Sequence, residues 1–256
     1  MEWTDRGFVV ARGAFREADI WLRVLFENHG LRTAYAFGGA RSRHRFVGCL
    51  DALNVLTCHV RVARVGGHLN LVEAELERGA HSLRQAPRAL GVMANCLRFT
   101  EALGVPESSA PASFRLLTET LEALDAHAGD RGETPRAHSL DAFPSLFQMA
   151  LASRQGYAPD FERCASCGAP VPRGALFVPD EGCVLCPPCA GASGARGVSL
   201  SAAALDALRI VQQKYPLCWE ADALAPADRR AIVRVTGAFV QFHLGLSWTR
   251  GRYTRV

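Results

Sequence analysis

Two Cys-x-x-Cys pairs constrain this chain more than any other feature. The first is Cys164-Ala-Ser-Cys167, followed by Gly168. The second lies within Gly182-Cys183-Val-Leu-Cys186-Pro-Pro-Cys189, where three cysteines compete for two places. Two thiolates on one tight turn, with a glycine to relax the backbone, make half of a tetrahedral metal site. Two such turns at this separation fit one structural Zn2+ held by four thiolates. On spacing, Cys183 with Cys186 or Cys186 with Cys189 completes the set. Pro187 and Pro188 have no amide hydrogen to donate to a thiolate, which on backbone chemistry favours the first option. Four thiolates leave no position for water, so the site is expected to brace the fold rather than catalyse. The chain has nine cysteines, an odd number that speaks for thiols and metal in a reducing compartment rather than a disulfide framework. Cys49, Cys58, Cys96 and Cys218 are isolated and are expected to be buried as small hydrophobes.

Upstream of the cysteines the hydrophobic period changes once. Residues 1–79 read as five short strands punctuated by glycine: Gly7–Gly13, Trp21–Phe26, Leu31–Phe37, Leu53–Ala63 and His68–Ala74. Such spacing suits a small all-β barrel. Residues 80–256 read as helical, with the cysteine module inserted at 160–192. Helices are expected over Pro87–Leu103, Pro111–His127, Ser139–Arg154, Ser201–Lys214 and Pro226–Gly245, with Ser139 as a cap. The segment 128–137 reads as a polar loop and 190–197 as a small-residue linker. Phe143, Leu146, Phe147, Ala150 and Leu151 form an apolar stripe destined for a core. The fold class is therefore α+β.

Charge is uneven along the chain. The formal net charge is only +4, and of the 29 basic residues all but Lys214 are arginine. The stretches 28–50 and 229–256 contain no acid, whereas 101–141 is acid-rich. A positive field concentrated in this way attracts phosphate. The first basic stretch carries Arg32, Arg41, Arg43 and Arg45; the second carries Arg229, Arg230, Arg234, Arg250, Arg252 and Arg255.

Catalytic signatures are missing. None of the eight histidines opens an H-x-E or H-E-x-x-H motif, and no G-x-S-x-G, G-x-G-x-x-G or P-loop is present. The N-terminus carries acids where a signal peptide is basic. No run approaches the roughly 20 apolar residues of a membrane helix. The expected protein is a cytosolic, non-enzymatic one.

Several short motifs together are similar to the RecO family of recombination mediators. They are Gly7-Phe-Val-Val10, Arg16-Glu-Ala-Asp19, His29-Gly30, Ala36-Phe-Gly-Gly-Ala40-Arg41-Ser42 and Leu69-Asn-Leu-Val-Glu-Ala-Glu75. The helix Phe143–Arg154 then leads through Gly156-Tyr157 and Pro159 to the first cysteine pair; Gly182–Cys189 supplies the second, and His243-Leu-Gly245 with Ser247 closes the chain. The resemblance spans nearly the whole sequence. It departs from the family at the extra Cys183 and at a shortened basic segment near Gly39–Ser42.

The resemblance implies an N-terminal OB-fold barrel and a helical C-terminal domain. It implies Cys164, Cys167, Cys186 and Cys189 as the ligands of one structural Zn2+, with Cys183 a spare thiol. It further implies binding of single- and double-stranded DNA at the nucleoid and annealing of complementary strands. RecR would be a partner in loading RecA onto strands coated by single-strand-binding protein. Arg41, Arg43 and Arg45 are the leading phosphate contacts, with Arg12, Arg16 and Arg32 behind them, and Tyr35 and Phe37 as base-stacking rings. The C-terminal arginines form a second patch that suits either DNA or the acidic tail of single-strand-binding protein. A competing reading, a zinc-ribbon module of transcription or translation, needs basic residues within the ribbon; Arg173 alone lies there, against Asp180 and Glu181. A metalloenzyme is the third reading, and it predicts turnover abolished by zinc chelation while the fold survives.

Overall fold

The structure, a computed structural model, describes residues 1–129, 140–219 and 224–256. In chain order the strands are β1 (Glu2–Ala14), β2 (Ile20–Phe26), β3 (Gly30–Ala36), β4 (Val55–Val62), β5 (Leu69–Arg78), β6 (Gly174–Val178), β7 (Cys183–Leu185), β8 (Val198–Ser201), β9 (Leu246–Thr249) and β10 (Arg252–Arg255). The helices are α1 (Pro87–Leu103), α2 (Ala110–Gly129), α3 (Phe143–Arg154), α4 (Pro187–Ser193), α5 (Ala202–Gln213) and α6 (Pro226–Leu244). The chain groups into two compact units, one of residues 1–86 and 104–129, the other of residues 87–103 and 130–256.

In the first unit β1 to β5 close a barrel in the order β1-β2-β3-β5-β4. Every pairing is antiparallel except β3 with β5. This is the small barrel that the strand pattern announced, and the OB-like form that the resemblance implied. Along β4, Leu56, Cys58 and Val60 point inward while Thr57, His59 and Arg61 point outward, the period-two alternation of a half-buried strand. Val9, Leu22, Val24, Phe26, Ala34 and Leu71 fill the interior with them. Each large apolar side chain buried this way contributes about 1.5–3 kcal/mol. Register shifts at Val9/Ala11 in β1 and at His59/Val60 against β5 mark bulges, which bend strands enough to close so small a barrel.

One carboxylate is built into this unit. Asp5 is 6% exposed and accepts hydrogen bonds from the Arg6 amide and the Asn28 amide at 2.9 Å and from Asn28 Nδ2 at 2.8 Å. His29 Nδ1 lies 2.7 Å from its second oxygen, and the His29 ring stacks on Trp3 at 3.9 Å. Asp5 thus ties the start of β1 to the β2–β3 turn. Helix α2 buries the expected residues Phe114, Leu117, Leu121 and Leu124, and Arg6 lies over the Phe114 ring at 5.1 Å.

The second unit is built around α3. All five residues of the expected stripe are buried, and Gln148 and Met149 are buried as well, so α3 is covered on every side. β6, β7 and β8 form a three-stranded sheet in the order β7-β6-β8. Among the described residues no helix is long and apolar enough to cross a membrane.

Several expectations need correction. β1 begins at Glu2 rather than Gly7, because its first half alternates outward polar residues against β4. The segment read as a linker, 190–197, is partly α4. The basic tail is a hairpin, β9–β10. Cys49, Cys58 and Cys96 are buried as expected, but Cys218 is exposed, in a short 3-10 turn over Pro216–Cys218. Burial pushes the Cys58 and Cys96 thiols far up, so neither is reactive. The expected cap Ser139, and most of the expected loop at 128–137, lie outside the described residues.

Candidate nucleic-acid interface and metal centre

The four cysteines that could hold a metal lie on two turns. In the first, the Cys164 amide donates to Ala169 O and the Gly168 amide returns to Cys164 O, both at 2.8 Å. Gly168 takes φ +71, which a side chain would resist. In the second, Cys186 is the N-cap of α4 and Cys189 lies in its first turn. Pro187 and Pro188 occupy the first two helical positions, where an amide hydrogen has no intrahelical partner to lose. The helix thus tolerates both prolines without loss, and the choice between the cysteine pairs falls to where the sulfurs lie.

The sulfurs of Cys164, Cys167, Cys186 and Cys189 all lie within 4.8 Å of one another, and Cys167 Sγ is 3.8 Å from Cys186 Sγ. A tetrahedral ion with bonds of about 2.3 Å separates its sulfurs by about 3.8 Å, so the four side chains fit such an ion. Cys183 stands outside this group, at the start of β7, with its Sγ 3.4 Å from Glu181 Oε2. Burial and the Glu181 carboxylate push its thiol up to about 11. Burial also opposes ionisation of Cys164, but the backbone amides of Cys186, Cys167 and Ser166 outweigh it and hold that thiol at about 6. At Cys189 the Ser166 hydroxyl favours the thiolate, yet the neighbouring Cys186 and Cys167 sulfurs prevail and push it up to about 12. Four thiols so close cannot all ionise without a cation among them.

The module is seated on α6. His243 Nε2 lies 2.9 Å from Pro179 O, and a Cβ on Gly182, at φ +64, would fall 2.7 Å from that same nitrogen.

On the barrel the sequence-predicted residues separate into two groups. Tyr35 faces outward on β3, and its ring lies 6.3 Å from Phe37 and 5.3 Å from Phe15. His68 approaches Tyr35 edge-on at 6.0 Å. Phe15 and Phe37 are 49% and 40% exposed, so this is a surface row rather than a core cluster. Trp21 stands directly across from Tyr35 on β2. Arg16 lies 5.3 Å from the Phe15 ring, and Arg45 donates to Phe37 O at 2.8 Å. Arg23, on the same outer face, donates to Thr33 Oγ1 at 3.2 Å. Arginines thus border both ends of the aromatic row.

The remaining arginines differ in availability. Arg43 is exposed and enters none of the ion pairs among the described residues. Arg41 meets Glu17 at 3.7 Å, both highly exposed, a contact of little strength. Arg12 is paired with Asp51, and Arg32 with Glu107 at 2.7 Å. These two second-rank candidates are therefore already partnered by carboxylates. Sequence reasoning missed Phe15, Trp21, Arg23 and His68. Strand alternation from Tyr35 could have found Trp21 and Arg23, but nothing local marked Phe15 or His68.

The C-terminal arginines also divide. Arg229, Arg230 and Arg234 line a cavity of about 350 Å3 with Asp141, Pro226 and Val233, whereas Arg250, Arg252 and Arg255 belong to the β9–β10 hairpin.

Comparison with known proteins supports one lineage over the whole chain. The model of the family described as Recombination protein O N terminal matches residues 1–79, and that described as Recombination protein O C terminal matches residues 84–252. A protein named DNA repair protein RecO from Nitratidesulfovibrio vulgaris is 41% identical over 261 aligned residues, covering all of both chains. Proteins of that name from Oleidesulfovibrio alaskensis and Lawsonia intracellularis are 41% and 35% identical, again over the full length of each chain. The barrel, the four-cysteine centre and these full-length matches agree, and the chain belongs to the RecO family.

Proposed function

We propose that this protein is a DNA repair and recombination factor that binds single- and double-stranded DNA on its barrel and anneals complementary strands without covalent chemistry. The observation that carries this reading is the exposed row Phe15, Tyr35 and Phe37 on a closed barrel, flanked by Arg16 and Arg45. Rings spaced for successive bases contribute about 1–3 kcal/mol each, and guanidinium groups beside them neutralise the phosphates between. Arg41 and Arg43 extend the positive edge. Annealing needs only that two polyanions be brought together with their charge reduced.

In this reading Cys164, Cys167, Cys186 and Cys189 hold one structural Zn2+, an ion that soft thiolates in tetrahedral array favour. Bound there, the ion supplies charge for four thiolates and a rigid corner, and no open coordination position. By family analogy, RecR and single-strand-binding protein are the partners, and the strand coated by single-strand-binding protein is the platform on which RecA is loaded.

The test is annealing of two complementary oligonucleotides, without nucleotide, over a series of salt concentrations. Acceleration that falls steeply with salt is expected; no acceleration, or a flat salt response, overturns the reading. Replacing Tyr35 and Phe37 with alanine should weaken oligonucleotide binding by about 30-fold or more.

A further inference from the structure

The β9–β10 hairpin is the strongest feature that the barrel reading leaves unused. Its inner side is anchored firmly. Tyr253 donates from its hydroxyl to Asn95 Oδ1 at 3.0 Å, accepts from Gln148 Nε2 at 2.6 Å and packs edge-on against Phe99 at 5.2 Å. Arg98 on α1 donates to Gly251 O at 2.8 Å, and Leu246 is buried. Directly opposite Tyr253 across the ribbon stands Trp248, its ring 4.7 Å away and 45% exposed. The hairpin carries Arg250 at its tip and Arg255 at its base on the face of Trp248, while Arg252, paired with Thr249, stands on the opposite face; all three are exposed. None of the three joins an ion pair among the described residues, and the sequence from Arg229 to Val256 contains no acid.

The tip adds a second observation. Arg250 and Gly251 have φ +51 and +79, the signature of a two-residue turn in which asparagine followed by glycine is favoured. Arginine is a poor residue for the first of these positions. An arginine in this unfavourable backbone position, exposed at the tip of the ribbon, presents its charge to solvent.

We propose that this hairpin is a second single-stranded nucleic-acid contact: Trp248 stacks on a base while Arg250 and Arg255 engage the flanking phosphates and Arg252 adds positive charge from the opposite face. The proposal rests on the DNA-binding reading above and adds a second strand-holding element to it, in the unit that does not contain the barrel. Such an element is what annealing by one molecule requires, since two strands must be held. The chemistry favours a nucleic acid over other anions. An exposed indole offers a flat face for a base. An anionic membrane would demand a broader apolar face than one ring, and the ribbon's other positions are Ser247, Thr249 and Thr254.

The test uses the full chain with an oligo-thymidylate in which single thymidines are replaced by 5-iododeoxyuridine, a probe that crosslinks to stacked aromatic rings under ultraviolet light. Crosslinks are expected both at the barrel row and on the peptide containing Trp248. Trp248→Leu combined with Arg250→Asn should lower oligo-thymidylate affinity by about 5-fold or more. Because asparagine suits the turn, Arg250→Asn alone should leave thermal stability equal or higher while it lowers affinity. Crosslinks confined to the barrel, with unchanged affinity in the double variant, overturn the proposal and leave the barrel reading intact. Loss of glutamate-rich peptide or phosphatidylglycerol vesicle binding in that variant, with oligonucleotide binding retained, also overturns it. If the wild-type chain binds no oligonucleotide, the DNA-binding reading fails, and this proposal fails with it.

Discussion

Asp5 shows how much one side chain can organise. Its carboxylate is nearly inaccessible and satisfied by three amide donors and His29. Asp5→Ala would leave the Asn28 and Arg6 amides without their acceptor, and a drop of about 2–4 kcal/mol in unfolding free energy is expected by urea titration. At the metal centre, Cys189→Ser should abolish stoichiometric zinc measured by atomic emission, whereas Cys183→Ser should leave it unchanged. Proline chemistry alone points to the opposite ligand pair. It does so because the sequence does not reveal that Pro187 and Pro188 open a helix that carries the Cys189 sulfur to the other three. The partners of Arg12 and Arg32 are equally illegible: Asp51 and Glu107 are 39 and 75 residues away in sequence.

Elements with a sustained period are readable. α1 is legible over its observed span and α2 to within two residues at each end, and each barrel strand is legible in its place. Shorter elements escape. β6, β7, β8, β9 and β10 have only three to five residues each, too few for alternation to register. The β9–β10 turn escapes because Arg250-Gly251 does not carry the asparagine that announces such a hairpin. In the zinc-binding reading, the cysteine module depends on an ion for what its small strands cannot supply. Chelation should therefore expose amides of residues 164–190 to hydrogen exchange and lower the thermal midpoint, the reverse of what a metalloenzyme with an autonomous fold would show. Persistence of protection after the metal is stripped would refute the bracing role.

For the whole molecule, the proposed DNA binding makes salt the controlling variable. Removing Arg41, Arg43 and Arg45 together should reduce the slope of log affinity against log salt by about 0.7 for each phosphate of a single strand that is no longer neutralised, measured by fluorescence anisotropy. An unchanged slope would move the phosphate-binding groups elsewhere, with Arg16 and Arg23 on the aromatic face the next to examine. The barrel itself closes at one slender place. β3 and β5 meet through only two residue pairs, Ala34 with Leu69 and Tyr35 with Asn70, while β4 and β5 share eight. Tyr35 belongs to that narrow seam, and His68 leans on its ring from the adjoining turn. A ligand laid across these rings would act as a clasp on the part of the cylinder with fewest rungs, so occupancy should be felt there as a tightening of the wall itself.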